Sequence, residues 1–284
     1  MSKRVSTSPT SLVLLSIAST QLGSAIAKSL FAVLNPAAVV SLRVGFAAVV
    51  LLVLWKPTFK QLRRDSYVAV VLFGLSLALM NLSFYLAIER IPIGIAVALE
   101  FVGPLGVAIA NSRRLVDILW IILAGAGIVL LAPIGGLVLD PAGIVLALVA
   151  GGFWAAYIIL SARIGRALAG GTGLALAMSV AAIVLLPIGI AAGGVTLLNP
   201  RLLLLGFGVA MLSSALPYSL ELEALRWMPM RVFGVLLSLE PVAAAVISFV
   251  VLQETLDMRG IIAILLITIA AAGASLYKTR DSSL

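Results

Sequence analysis

IPIGIAVALEFVGPLGVAIANSRRLVD, residues 91–117, decides the fold, and MPMRVFGVLLSLEPVAAAVISFVVLQETLD, residues 228–257, echoes it. Each stretch opens with a proline, Pro92 or Pro229, and carries a second one twelve positions later, Pro104 or Pro241. Each also holds a lone glutamate in its apolar run, Glu100 or Glu240. About 20 apolar residues suffice to cross a bilayer as a helix. A proline inside such a helix removes a backbone donor and kinks it. A carboxyl group near mid-membrane is costly, so it marks function by default. Each half of the chain is therefore expected to hold one kinked span with an acid near its middle.

Working outward, 63% of the 284 residues are hydrophobic and 11% are charged. A soluble domain is about 45–50% apolar and about 25% charged, so the chain reads as a polytopic membrane protein with the lipid bilayer as its main partner. Apolar runs fall at roughly 11–31, 37–55, 67–88, 92–111, 116–133, 142–162, 173–192, 201–222, 231–252 and 258–277. Turn signals such as Asn35-Pro36, Gly135-Gly136 and Asn199-Pro200 separate them. The start, MSKRVSTSPTS, reads as a short polar tail and not as a cleavable signal peptide.

The basic residues orient the spans. With the N-terminus in the cytoplasm, the inner ends hold Lys3, Arg4, Lys56, Lys60, Arg63, Arg64, Arg113, Arg114, Arg163, Arg166, Arg226, Arg231, Lys278 and Arg280. The outer ends hold only Arg90, Arg201 and Arg259. The positive-inside rule then puts both termini in the cytoplasm. The net charge of +8 thus reports topology, and no nucleic-acid partner is expected.

MNLSFYLAIERIP (80–92) aligns with PYSLELEALRWMP (217–229). Five spans per repeat is an odd number, so the second copy is inverted. The predicted fold is an all-α membrane protein of ten transmembrane helices in an inverted 5+5 repeat, residues 1–135 and 136–284. Secondary transporters are commonly built this way, with the site at the midplane between repeats.

The chain has no Cys and no His, and no phosphate-binding G-x-x-x-x-G-K-[ST] loop. Thiolate or imidazole metal sites, Cys nucleophiles and Ser-His-Asp triads are thereby excluded. No enzyme activity, cofactor or metal is expected, and the oligomeric state is left open.

Several polar residues interrupt the runs. Glu100 and Glu240 lie near the midplane and suit substrate binding or proton coupling; structurally, each could instead tie helices together as a neutral acid. Arg43 could grip a carboxylate bidentately or pair with an internal glutamate. Lys28 sits near the end of its run and could snorkel. Gln21, Asn81, Ser213 and Ser214 could bond substrate or neighbouring helices. Trp154 and Tyr157, one turn apart, could line a cavity or simply pack. Tyr218, Glu221 and Glu223 fall towards the inner end of the eighth run, where either acid could pair with Arg226 or Arg231. Glu254 and Asp257 read as a cap before the last helix. Pro92, Pro104, Pro229 and Pro241 are hinge candidates.

SAIAKSLF (24–31), FYLAIERIPIGIAVALEFVGPLGVAI (84–109), SRRLVD (112–117), LSSALPYSLELEAL (212–225) and FGVLLSLEPVAAAV (233–246) together resemble the threonine/homoserine exporters of the EamA-like drug/metabolite transporter superfamily. The likeness covers nearly the whole chain. It implies ten helices, a central cavity lined mainly by the first, third, fourth, sixth, eighth and ninth spans, and export of small neutral amino acids across the bacterial inner membrane. It carries over to Glu100 and Glu240 with their prolines and to Pro217-Tyr218. The substrate is then a small molecule. The alternative within transport is export of other metabolites or cationic compounds.

Overall fold

The computed structural model describes residues 8–57, 64–110, 116–131, 139–168, 171–225, 227–228 and 230–277. The hinge candidate Pro229 and the topology residues Lys3, Arg4, Lys60, Arg63, Arg113, Arg114, Arg226, Lys278 and Arg280 lie outside them. The described residues are helical with short links and contain no strand. In chain order the helices are α1 (Pro9–Ser29), α2 (Pro36–Trp55), α3 (Arg64–Arg90), α4 (Ile93–Glu100), α5 (Val102–Ala110), α6 (Val116–Leu131) and α7 (Pro141–Ala167). They continue with α8 (Thr172–Gly193), α9 (Pro200–Ala210), α10 (Leu216–Leu225), α11 (Met230–Leu237), α12 (Glu240–Leu252) and α13 (Met258–Tyr277). Among the described residues, seven helical stretches are long and apolar enough to cross a membrane. Three shorter apolar helices accompany them, at Ile93–Val107, Ile118–Leu130 and Met258–Gly273. The protein is a multi-pass membrane protein.

The starts of the helices follow from local sequence. Asn35, Asp140 and Asn199 each precede a proline, and each side chain accepts from the backbone N–H two residues on. The polar side chain satisfies an orphan donor, and the proline occupies the first helical position, where its missing N–H costs nothing.

Three expected spans are not continuous helices. The run around Glu100 breaks at Phe101, between α4 and α5. Pro104 has no N–H to give the Glu100 carbonyl one turn earlier. The run around Glu240 breaks at Ser238–Leu239, three residues before Pro241. In the eighth run a π-helical turn, Met211–Ala215, separates α9 from α10 just ahead of Pro217. In all three the interruption falls within four residues of a proline.

The packing interleaves the halves of the chain. α3 lies on α7 and α8, α2 on α8, α6 on α13, α1 on α10 and α12, and α4 on α12. The glycines set the closest approaches. A Cβ on Gly103 would overlap the Gly151 backbone, and one on Gly151 would overlap the backbone of Glu100. The α4–α5 break can therefore press directly on α7. Large apolar side chains such as Val68, Ile122, Ile183, Leu204 and Val250 cover the outside of the bundle, as expected of a surface facing lipid.

Candidate functional site

A cavity of about 860 Å³ lies inside the bundle, within the range of about 300–1,000 Å³ typical of small-molecule sites. It takes residues from all six spans expected to line it, and also Arg43, Leu51 and Trp55 of α2, Gly173 and Leu174 of α8 and Ala271 of α13. It begins near the middle of α1, at Thr20, Gln21 and Ser24, and extends towards the end of the bundle where Trp55 packs on Gly171. The other end is filled. Ile88, Ile91, Ile93 and Ile95 are at most 1% exposed. Lys28 there forms an ion pair with Glu254 and also donates to the Ile91 carbonyl at 2.9 Å. Glu254 accepts from the Ile93 N–H at 3.0 Å. One lysine and one glutamate thus join α1, the α3–α4 corner and the link after α12.

Among the described residues lining the cavity, Arg43 is the cationic side chain. Its Nη2 donates to the Ser213 carbonyl at 2.9 Å, and its Nε to Ser214 Oγ at 3.2 Å. This contact has a sequence cause. Pro217 cannot give an N–H to the Ser213 carbonyl four residues earlier, and the guanidinium supplies a donor to it. The guanidinium carbon also stands 5.4 Å from the Tyr85 ring centre. The hydrogen bonds of Arg43 thus go to Ser213 and Ser214, where one sequence reading expected an internal glutamate. Arg43 braces the π turn and still lines the cavity.

Glu100, Glu221 and Glu240 all line the same space. Glu100 is the last residue of α4 and Glu240 the first of α12, so each acid flanks a helix break. Gln21 Nε2 reaches Glu240 Oε2 at 3.5 Å, the outer limit of a hydrogen bond. Glu221 accepts from Ser16 Oγ at 2.7 Å, whereas Glu223 accepts from Trp227 Nε1 at 2.9 Å. Asn81 lines the cavity while donating to its own helix, to the Leu77 carbonyl at 2.7 Å. Trp154 packs edge-on against Phe101 at 4.8 Å between centres, and Tyr157 packs at a tilt against Phe73 at 5.2 Å. Those two aromatic pairs and Tyr218 contribute to the less polar walls.

The structure thus gathers Gln21, Arg43, Asn81, Glu100, Trp154, Tyr157, Tyr218 and Glu240 around one cavity, with Pro104 in its wall. Lys28 is not among the lining residues; it sits at the closed end. Pro92 is the N-cap of α4, and Pro241 is the second residue of α12. Of the expected cap before the last helix, Asp257 accepts from the Gly260 N–H at 2.8 Å, but Glu254 turns instead to Lys28.

Sequence reading passed over Ser16, Thr20 and Ser24, and it offered Glu221 or Glu223 a pairing with Arg226 or Arg231. A signal was present: Ser16, Thr20 and Ser24 recur at the four-residue spacing of one helix face, with Gln21 beside them. Such a polar stripe within a span points to an interior face.

Comparison with known proteins fits this geometry. The model of the EamA-like transporter family matches residues 141–276. The threonine/homoserine exporter RhtA of Salmonella typhimurium is 42% identical over 275 residues, covering 96% of this chain and 93% of that protein. RhtA of Escherichia coli K12 is 40% identical over 278 residues, covering 97% and 94%. A solved structure titled only "Crystal structure of protein" superposes with a TM-score of 0.65 at 19% identity, covering 96% of this chain and all of that one; it speaks for the fold alone.

Proposed function

The chain belongs to the family of the threonine/homoserine exporter RhtA, among the EamA-like transporters, and from that membership we propose that it exports small neutral amino acids such as threonine and homoserine across the bacterial inner membrane. It is a transporter and not an enzyme. The observation that carries the reading is the meeting of Arg43 with Glu100, Glu221 and Glu240 in one chamber of a largely apolar bundle. An amino acid carries a carboxylate and an ammonium at fixed separation. A guanidinium suits the first and carboxyl groups suit the second.

The architecture we infer is ten spans in an inverted five-plus-five repeat, residues 1–135 and 136–284, with both termini cytoplasmic. Each broken span counts as one. The match of the family model to 141–276 supports a second repeat of that extent. The packing supports it too. The second span pairs with the seventh, the fourth with the ninth and the fifth with the tenth, each with its own counterpart. The third pairs with the sixth and the first with the eighth, which the same exchange of halves interconverts.

Transport then proceeds by alternating access coupled to a proton gradient. Pro92, Pro104, Pro229 and Pro241 mark flexing points, and Glu100 and Glu240 are the acids that hold a proton or the substrate ammonium. Gln21, Asn81, Trp154, Tyr157 and Tyr218 complete the binding surface. The test uses proteoliposomes loaded with labelled threonine, with Glu100→Gln and Glu240→Gln beside the parent. Glutamine keeps size and hydrogen bonding but cannot titrate. Loss of proton-driven efflux with threonine exchange retained is the expected outcome for a coupling acid. Unchanged proton-driven efflux in both variants would remove the acids from the mechanism.

A second reading, export of cationic compounds, has one observation in its favour: three cavity carboxyls face one guanidinium. Efflux of a quaternary ammonium compound in preference to threonine from the same liposomes would select it.

A further inference from the structure

Hydroxyl groups inside this bundle usually find a partner on their own helix. Ser41 donates to the Ala37 carbonyl at 2.8 Å, Ser179 to Ala175 at 2.8 Å and Ser219 to Ala215 at 2.6 Å. Ser213 does not. It lies in the π turn, where the backbone is wound more widely than in an α-helix, and its Oγ has no hydrogen-bond partner although the residue is 2% exposed. Gln21 shows a second open position. Its Nε2 reaches Glu240, but its Oε1 is buried without a partner, and the residue is also 2% exposed. Both residues line the cavity. Ser213 lies in the seam with α1, where Gly23 abuts its Oγ and Ser19 Oγ donates to the Leu212 carbonyl at 2.7 Å, whereas Gln21 turns towards Glu240 of α12.

A buried polar atom left unmatched is costly. In a cavity wall, a bound substrate is one partner that would satisfy it. The groups common to every amino acid, its carboxylate and ammonium, match Arg43 and the carboxyls, so those contacts cannot tell one amino acid from another. Phe73, Phe101, Trp154 and Tyr157 offer apolar surface, which discriminates weakly. Selectivity among neutral amino acids therefore needs a further polar contact.

We infer that the unpartnered polar atoms of Ser213 and Gln21 in the cavity wall read the side-chain hydroxyl of the transported amino acid, making these two the specificity-determining residues. The inference rests on the amino-acid export reading and names what that site selects. A hydroxyl both donates and accepts. Gln21 Oε1 can only accept, and Ser213 Oγ can do either. A methyl group of the same shape satisfies neither.

The test is counterflow of labelled threonine into proteoliposomes holding the full chain, with threonine or its hydroxyl-free isostere valine as competitor. Homoserine and norvaline form a second pair. The parent is expected to favour threonine over valine by about 100-fold or more, since a site built to bond a hydroxyl rejects analogues lacking it strongly. Ser213→Ala and Gln21→Met should each reduce that ratio by about tenfold, equivalent to about 1.4 kcal/mol. The ratio is taken within one preparation, so the amount of folded transporter cancels. If the parent moves valine as well as threonine, the hydroxyl reading is overturned while export stands. If the variants keep the parent's ratio, or move neither amino acid, Ser213 and Gln21 do not read the substrate. If the parent moves no amino acid, the export reading falls and takes this one with it.

Discussion

Arg43 shows how one residue can serve structure and function together. It is 7% exposed, and two of its nitrogens are committed to the π turn at Ser213 and Ser214. A lysine would keep the charge but lose the planar fork that reaches two acceptors at once. Arg43→Lys is therefore expected to lower threonine transport by about tenfold or more while the protein still purifies folded. Equal transport at equal protein amount would show that the guanidinium geometry is dispensable. Most of this site was legible residue by residue, because Gln21, Arg43, Asn81, Glu100 and Glu240 stand out as polar residues in apolar runs. Glu221 was not, since Arg226 and Arg231 nearby offered either it or Glu223 an ion-pair partner. The Lys28–Glu254 pair was illegible for another reason. Local pattern cannot reveal which partner a residue meets when the two lie near opposite ends of the chain.

At the scale of elements, the break between α4 and α5 depends on a glycine in another helix. A side chain at Gly151 would meet the Glu100 backbone, which cannot swing aside as a flexible side chain could. Its neighbour Gly152 has nothing within 4 Å of an added Cβ. Gly151→Ala should therefore destabilise the protein by about 1–3 kcal/mol through overpacking. Gly152→Ala should leave it unchanged or slightly firmer, because alanine loses less backbone entropy in a helix. Thermal unfolding in detergent separates the two, and equal melting temperatures would dismiss the contact. The ion pair at the closed end gives a second element-level prediction. Lys28 and Glu254 fasten α1 and the α3–α4 corner to the segment after α12, so releasing them should favour opening there. With no native cysteine in the chain, Ser24→Cys provides a single reporter in the cavity wall. In that background, Lys28→Met should speed labelling by an impermeant thiol reagent applied from the Lys28 side. An unchanged rate would mean the pair is a static brace.

For the whole molecule, hydropathy and prolines foretold an all-helical membrane protein, because burial in lipid forces every backbone group into helix or closed barrel. The prolines also marked kinks in the spans of Glu100 and Glu240, but not the π turn ahead of Pro217. The interleaved pairing of the halves was equally beyond local sequence, since it depends on contacts between distant spans. The cavity's asymmetry leads to the last prediction. It extends to the Trp55 end, and the Lys28 end is filled by isoleucines and fastened by the ion pair. In the proposed orientation the Trp55 end faces the cytoplasm, and the cavity is then expected to open to the inside. Ser161 lies in the cavity wall towards the Trp55 end, and Ile88 lies in the filled half with no exposure. In inside-out vesicles, Ser161→Cys should react readily with an impermeant thiol reagent, and excess threonine should slow it. Ile88→Cys should stay unreactive from the same face. In right-side-out vesicles, Ser161→Cys should react slowly, at a rate limited by passage to the outward-open state. Faster labelling of Ser161→Cys from the periplasmic face would invert the orientation, and equal labelling from both faces would mean that the closed end does not seal.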